Sequence, residues 1–302
     1  MSSAIGIRVY KIYPYKKGRP SQGAVRLQDR EIDSHSFLAK FIEARSTETN
    51  DKETARVWWF DKVVSETEVH HGIIKYGAYG FESDLVDGKT RSRNYKRKEN
   101  DIEIIPLYYQ FWTPEKSEYS LIALQSFSGR SCVSKVLDAM RAEYSDMCED
   151  LALDISKLMP TGQDSELFKK APVKTLRLTK NSASNDIVDR YAPHYSAERV
   201  DLEVKITAKS RGNLGILKDF AFPAENQKGL VELNGVKYDT VKADIKVGGK
   251  RRPVTVFGVD SDAGVIDITD DVETNAGHPK FTSISAVTND ILDDYHLQLL
   301  GL

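Results

Sequence analysis

Cysteine is nearly missing from this chain of 302 residues: Cys132 and Cys148 are too few for a disulfide framework. A reducing, cytoplasmic compartment is the expectation. No apolar run approaches the roughly 18–20 residues that a membrane helix needs, so membrane insertion is not expected. The chain begins Met-Ser-Ser-Ala-Ile-Gly-Ile-Arg and goes directly into an alternating strand pattern, without a secretory apolar segment. The six histidines have no ligand spacing with either cysteine, and His70-His71, as strand neighbours, face opposite sides. Gly129 stands alone, without the spacing of a nucleotide-binding glycine loop. These absences argue against a zinc site, a Cys–His nucleophile and a bound cofactor, and no strong catalytic signature remains.

What is present is charge, unevenly placed. The formal net charge is only −2, yet residues 258–302 hold nine carboxylates against Lys280 alone, a balance of −8 that leaves +6 for residues 1–257. The densest basic stretch is Lys89-Thr-Arg91-Ser-Arg93-Asn-Tyr95-Lys96-Arg97-Lys98. A second cluster is Lys169, Lys170, Lys174, Arg177 and Lys180; a third is Lys205, Lys209, Arg211 and Lys218; a fourth is Lys246, Lys250, Arg251 and Arg252. Cations that neutralise phosphates release condensed counterions, which gives salt-sensitive, sequence-independent binding. A single charge run also reads as solvated surface, and the near-neutral total is unlike the basic domains that bind nucleic acid. Four runs favour a polyanionic partner.

The hydrophobic pattern predicts strands over 5–15, 56–64, 71–79, 102–112 and 119–127, with a helix over 36–44 capped by Asp33 or Ser34. The basic stretch, within 86–99, reads as an exposed hairpin tip or loop. Val133, Val136, Leu137, Met140 and Tyr144 form one helical stripe, followed by a strand at 151–155 and a boundary at Pro160-Thr-Gly162. Further on come a short helix from Asp164, strands at 173–178 and 200–208, a loop at 181–185 and a short helix at 214–220. A meander follows over 230–268, with turns at Asn234-Gly235, Gly248-Gly249 and 262–264. Ile284, Val287, Ile291, Tyr295 and Leu299 mark a terminal amphipathic helix capped by Thr282 or Ser283. The fold class is α+β, two-lobed and mainly antiparallel: residues 1–160 as an α+β lobe, 161–302 as a β-rich lobe ending in an acidic helix.

Three further constellations can carry chemistry. Glu203 and Lys205 point to the same face of a strand and, with Asp189, could serve a metal-dependent nuclease. The turn at 126–131 offers free N–H groups and Arg130 to a phosphate; a structural turn with a cap is the plainer reading. Asp267, Asp270 and Asp271, with Asp290, Asp293 and Asp294, read as an acidic lobe that repels DNA or docks on a second subunit.

The order of elements resembles the RexA type of phage-exclusion protein and its relatives in antiphage defence. The resemblance runs through the apolar strand into Phe127-Ser-Gly129-Arg130, the following helix, the acidic-to-basic stretch 151–180, the β-rich lobe and the acidic terminal helix. It implies a homodimer of two-lobed subunits that grips duplex DNA without sequence preference, and it adds nothing for an enzymatic role. The longer first lobe and the Lys89–Lys98 stretch depart from that pattern, so no binding residue is carried across.

The clusters themselves make Lys89, Arg91, Arg93, Lys96, Arg97 and Lys98 the expected phosphate contacts, supported by Lys169, Lys170, Arg211, Arg251 and Arg252. Tyr95 could stack on an unpaired base. A second defence-system protein is a further candidate partner, and docking through complementary charge in a defence complex is an alternative function. The basic loops are expected to line one groove, with the acidic C-terminal region away from it or across a subunit interface.

Overall fold

The computed structural model describes residues 4–18, 34–158, 170–181, 188, 194, 196, 200–209, 212–217, 231–233, 236–247, 249–257 and 264–301. The chain begins with β1 (Ile5–Lys16), α1 (Ser34–Ala44), β2 (Thr49–Asp51), β3 (Arg56–Ser65) and β4 (Val69–Ala78). There follow β5 (Ser83–Val86), β6 (Arg93–Arg97), β7 (Glu103–Trp112), β8 (Ser120–Phe127), α2 (Val133–Met147) and β9 (Leu151–Lys157). Next are β10 (Thr175–Lys180), β11 (Leu202–Thr207), β12 (Val231–Leu233), β13 (Val236–Tyr238), β14 (Thr240–Val247) and β15 (Lys250–Phe257). The last elements are β16 (Ile266–Asp267), β17 (Thr274–Asn275), β18 (His278–Pro279) and α3 (Phe281–Leu299). The protein is α+β with mostly antiparallel sheet.

Two compact units emerge. A terminal unit contains both chain ends, Met1–Lys11, Ser156–Glu273 and Thr282–Leu302; a hairpin unit contains Ile12–Ile155 and Thr274–Phe281. The units therefore exchange segments that a single cut near residue 160 keeps apart. Gly6 and Ile7 of β1 lie opposite Asp267 and Ile266 of β16, which binds the N-terminal residues into the terminal unit. Residues 274–281 return to the hairpin unit, where His278 stacks on Phe127 at 4.5 Å and Phe281 meets His71 at 5.4 Å.

In the hairpin unit the strand order is β8-β7-β4-β3-β2. Alternation on β3 and β4 turns Trp58, Phe60 and Ile74 inward, and α1 lays Phe37, Leu38, Phe41 and Ile42 against that face, all buried. Phe41 meets Phe60 edge-on at 5.9 Å, Phe60 meets Tyr109 at 4.8 Å, and Phe37 meets Tyr144 of α2 at 5.0 Å. Each such ring adds roughly 1.5–3 kcal/mol by burial. A bulge between Phe60 and Lys62 brings the Lys62 carbonyl so close to Gly72 that a Cβ there would lie 1.7 Å from its oxygen, so only glycine fits. The Val133, Val136, Leu137, Met140 and Tyr144 stripe is the buried face of α2, as the periodicity predicts.

In the terminal unit the order is β11-β10-β14-β15-β16, with the first part of β1 beyond β16. Val241, Ala243, Ile245 and Val247 alternate inward on β14, as do Val254 and Val256 on β15 and Ile5, Ile7 and Val9 on β1. Helix α3 contributes Ile284, Val287, Ile291 and Tyr295 to the unit's buried set. It starts at Phe281, so Thr282 and Ser283 sit in its first turn, not at its cap; the Ser283 hydroxyl accepts the Glu273 N–H at 2.9 Å. The helix expected from Asp164, the turns at 234–235 and 262–263, Gly248 and most of the loop at 181–185 lie outside the described residues. At 214–220, Ile216 makes an isolated bridge to Pro172, and 218–220 are also outside.

Candidate nucleic-acid interface

The densest basic stretch folds as a ribbon, β5 against β6, with Ser83 opposite Arg97, Asp84 opposite Lys96 and Leu85 opposite Tyr95. Asp87 builds its tip. One carboxylate oxygen accepts the N–H groups of Lys89 at 2.9 Å and Thr90 at 2.7 Å, and the Asp87 N–H donates to the Ser92 carbonyl at 2.8 Å. The bonds to its carboxylate, the Thr90 N–H foremost, hold the Asp87 carboxyl below the usual range. Lys89 and Arg91 stand exposed on this turn, and Lys98 is exposed at the ribbon's end. Arg93 lies 3.6 Å from Asp84 and Lys96 2.8 Å from Glu82, both pairs exposed. Pairs of that kind contribute about 0–1 kcal/mol and yield readily to a phosphate.

Arg97 requires a correction. It is 5% exposed; its guanidinium donates to the carbonyls of Ala78 and Asp101 and to Glu103, and covers Phe81 at 4.1 Å. It anchors the ribbon and is not available to a phosphate. Tyr95 has its hydroxyl fixed on Asp101 at 2.5 Å, while its ring stays 48% exposed beside Leu85.

The terminal unit brings described members of the other three clusters onto one sheet. Arg177 on β10 is directly opposite Lys205 on β11 and, on its other side, Lys242 on β14. Direct partners share a face at about 5 Å, so three cations form a row across three strands. Further along β14, on the same face, Lys246 lies opposite Arg251 of β15. Lys205, Lys246 and Arg251 are exposed and have no ion pair among the described residues. Arg177 is 3.7 Å from Asp244 and Lys242 is 3.7 Å from Asp267. Lys170 is exposed at a turn near the sheet, and the Lys174 ammonium donates to the Gly212 carbonyl at 3.0 Å. Lys169 and Arg211 lie outside the described residues.

Arg252 is the second correction. It is 1% exposed and donates to Asp271 at 2.7 Å and to the Val247 carbonyl. The acidic segment is therefore not a separate lobe: Asp271 also lies 3.7 Å from Lys250, and Asp267 serves Lys242. On α3, burial and the neighbouring Asp290 raise the Asp293 carboxyl.

The remaining candidates are dispersed. Glu203 faces Thr179 across the strands, next to Lys205 along its own, and Asp189 lies outside the described residues. Among the described residues no three His, Cys, Asp or Glu side chains group as metal ligands. His70 is buried against Ser65 at 2.9 Å and His71 meets the Tyr108 hydroxyl at 3.0 Å. Residues 127–130 close a tight turn, with Phe127 and Arg130 exchanging both N–H···O bonds at 2.9 Å and Ser128 and Gly129 at positive φ. The Ser131 hydroxyl accepts the Val133 N–H at 3.2 Å, and Arg130 pairs with Glu103.

Sequence reasoning missed Lys242, which belongs to none of the four runs. The signal was the alternation Val241-Lys-Ala-Asp-Ile-Lys-Val247, which sends Lys242 and Lys246 to the face opposite the core. No family model matches this chain, and no curated protein matches it.

Proposed function

We propose that this protein binds nucleic acid without sequence preference, with duplex DNA as its target, through the cationic face of the terminal unit's sheet and the exposed cations of the β5–β6 ribbon. One observation carries the reading. Lys205, Arg177 and Lys242 occupy directly opposed positions, as do Lys246 and Arg251. Like charges in such pairs are destabilising, and of these five cations only Arg177 and Lys242 have a carboxylate within ion-pair distance among the described residues. A row of phosphates supplies the missing counter-charge, and Thr179, two residues from Arg177 on the same face, offers a hydroxyl to a phosphate oxygen.

The ribbon adds Lys89, Arg91, Arg93, Lys96 and Lys98. The layout resemblance to RexA-type proteins supports a setting in phage exclusion and a homodimer. Light scattering and plaque counts with and without the gene test those two points. Binding itself is tested by fluorescence anisotropy on a random-sequence duplex across a salt series: affinity falling steeply with salt is expected. No binding at low salt overturns the reading, and cleavage of the duplex in Mg²⁺ would replace it with a nuclease.

A further inference from the structure

We infer that the hairpin unit holds a second, separate binding site: a cleft for a single mononucleotide, its phosphate on Arg56 and Arg130 and its base on the ring of Phe81. The cleft has a volume of about 360 Å³, within the roughly 300–1,000 Å³ of small-molecule sites. It lies where one row of the sheet, Arg56 on β3, Ala78 on β4 and Glu103 on β7, meets the turn that joins β8 to α2.

Charge selects an anion. Arg56 and Arg130 line the cleft, and Arg97 stands just behind it on Glu103 and the Ala78 carbonyl. Glu103 is the one carboxylate among the lining residues, and it is shared between Arg130 and Arg97. Among the lining residues, two guanidiniums against one carboxylate leave a balance of +1. Arg130, then Arg97, hold the Glu103 carboxyl below its ordinary range, so it stays ionised and that balance persists at neutral pH. Nearby Asp51 does not alter it, since Lys135 neutralises that carboxylate. Arg56 has no carboxylate partner among the described residues; its guanidinium reaches only the Thr54 and Ala55 carbonyls, at 3.4 and 3.3 Å. A group with this planar fork of donors matches a phosphate.

Shape selects a ring. Phe81 is 49% exposed and lines the cleft, while the Arg97 guanidinium covers one side of its ring at 4.1 Å. Arg97 is itself fixed by carbonyls and Glu103, so the uncovered side of Phe81 is a held platform. Stacking a base on such a platform is worth about 1–3 kcal/mol and tolerates any base. Tyr76 and buried Ile105 supply apolar walls, and Gly129 leaves open space at the rim, where a Cβ would meet nothing within 4 Å.

The test is calorimetric titration of the full chain with AMP, adenosine and inorganic phosphate. AMP is expected to bind with one site per chain, and adenosine and inorganic phosphate each at least tenfold more weakly. Arg56→Gln should weaken AMP binding at least tenfold while leaving the melting temperature unchanged, because no carboxylate loses its partner. Phe81→Ala should weaken AMP but not inorganic phosphate. Lys205→Gln with Arg251→Gln should leave AMP binding intact, which separates this site from the DNA surface. No heat with AMP, CMP, GMP or UMP at millimolar concentration overturns the inference. So does unchanged AMP affinity in a folded Arg56→Gln protein, or displacement of AMP by random-sequence duplex.

Discussion

Replacing Lys205, Lys246 and Arg251 by glutamine removes the three cations of the sheet face that are exposed and unpaired among the described residues. Glutamine keeps part of each aliphatic stem, so the change is chiefly one of charge. Each phosphate contact contributes about 0.9 to the slope of log affinity against log salt, so the triple variant should lose about 2.7. Between 50 and 200 mM salt, wild-type affinity should then fall roughly forty times more than that of the variant. Anisotropy with a labelled random duplex at five or six salt concentrations measures both slopes. Stability should move the other way. Lys246 and Arg251 are directly opposed, and relieving a like-charge pair stabilises by about 0.2–1 kcal/mol. Lys246→Gln alone should therefore raise the urea midpoint while weakening DNA binding. A slope within one unit of wild type in the triple variant, with binding retained, refutes the assignment of this face.

Arg97→Gln should behave in the opposite sense to the surface cations. It loses buried charge-assisted bonds to Ala78, Asp101 and Glu103 and should cost roughly 2–3 kcal/mol in urea denaturation, leaving the salt slope unchanged. Asp51 is held at about 2 by hydrogen bonds from Lys135 and Thr54. Because its folded value lies below the unfolded value of about 3.9, its contribution is complete above that pH and is lost as pH falls through about 2. Asp51→Asn should thus lower the melting temperature at pH 6 and flatten its decline between pH 4 and 2; parallel curves would exclude the pair. Burial pushes the Cys132 thiol up to about 12, whereas Cys148 is only partly covered. A thiol reagent at pH 8 should label one site per native chain and two after unfolding, and two fast native sites would contradict that burial.

Much of the local structure was legible because period and burial agree. The stripe from Val133 to Tyr144 has one wet side and reads in sequence as the structure builds it. Strands β7 and β8 were legible for another reason: buried on both sides over most of their length, they read as continuous apolar runs between turns. Segment exchange was not legible. Pairing β1 with β16 joins residues some 260 positions apart, and nothing in either two-residue window specifies the other. The fate of each basic side chain was equally hidden. Lys96 and Arg97 are adjacent cations in one ribbon, yet the pleat sends Lys96 to solvent beside Glu82 and Arg97 inward over Phe81.

Charge counted along the chain misleads for a related reason. A balance of −8 over the last 45 residues suggests a repelling lobe, but β16 forms beside β15, and Asp267 and Asp271 come to rest on Lys242, Lys250 and Arg252. Those contacts remove charge from some members of the basic runs and leave others untouched. What distinguishes the untouched ones is register. Lys205, Lys246 and Arg251 stand on the outward phase of alternating strands at positions whose direct neighbours are also cations, so folding provides them no partner among the described residues. A surface selected only for solubility would intersperse the two signs across such pairs, as Arg177 with Asp244 does along the same sheet. Retaining like charges where opposite charges would stabilise the sheet points to a counter-charge from outside the chain, and a phosphate backbone carries that charge at regular intervals.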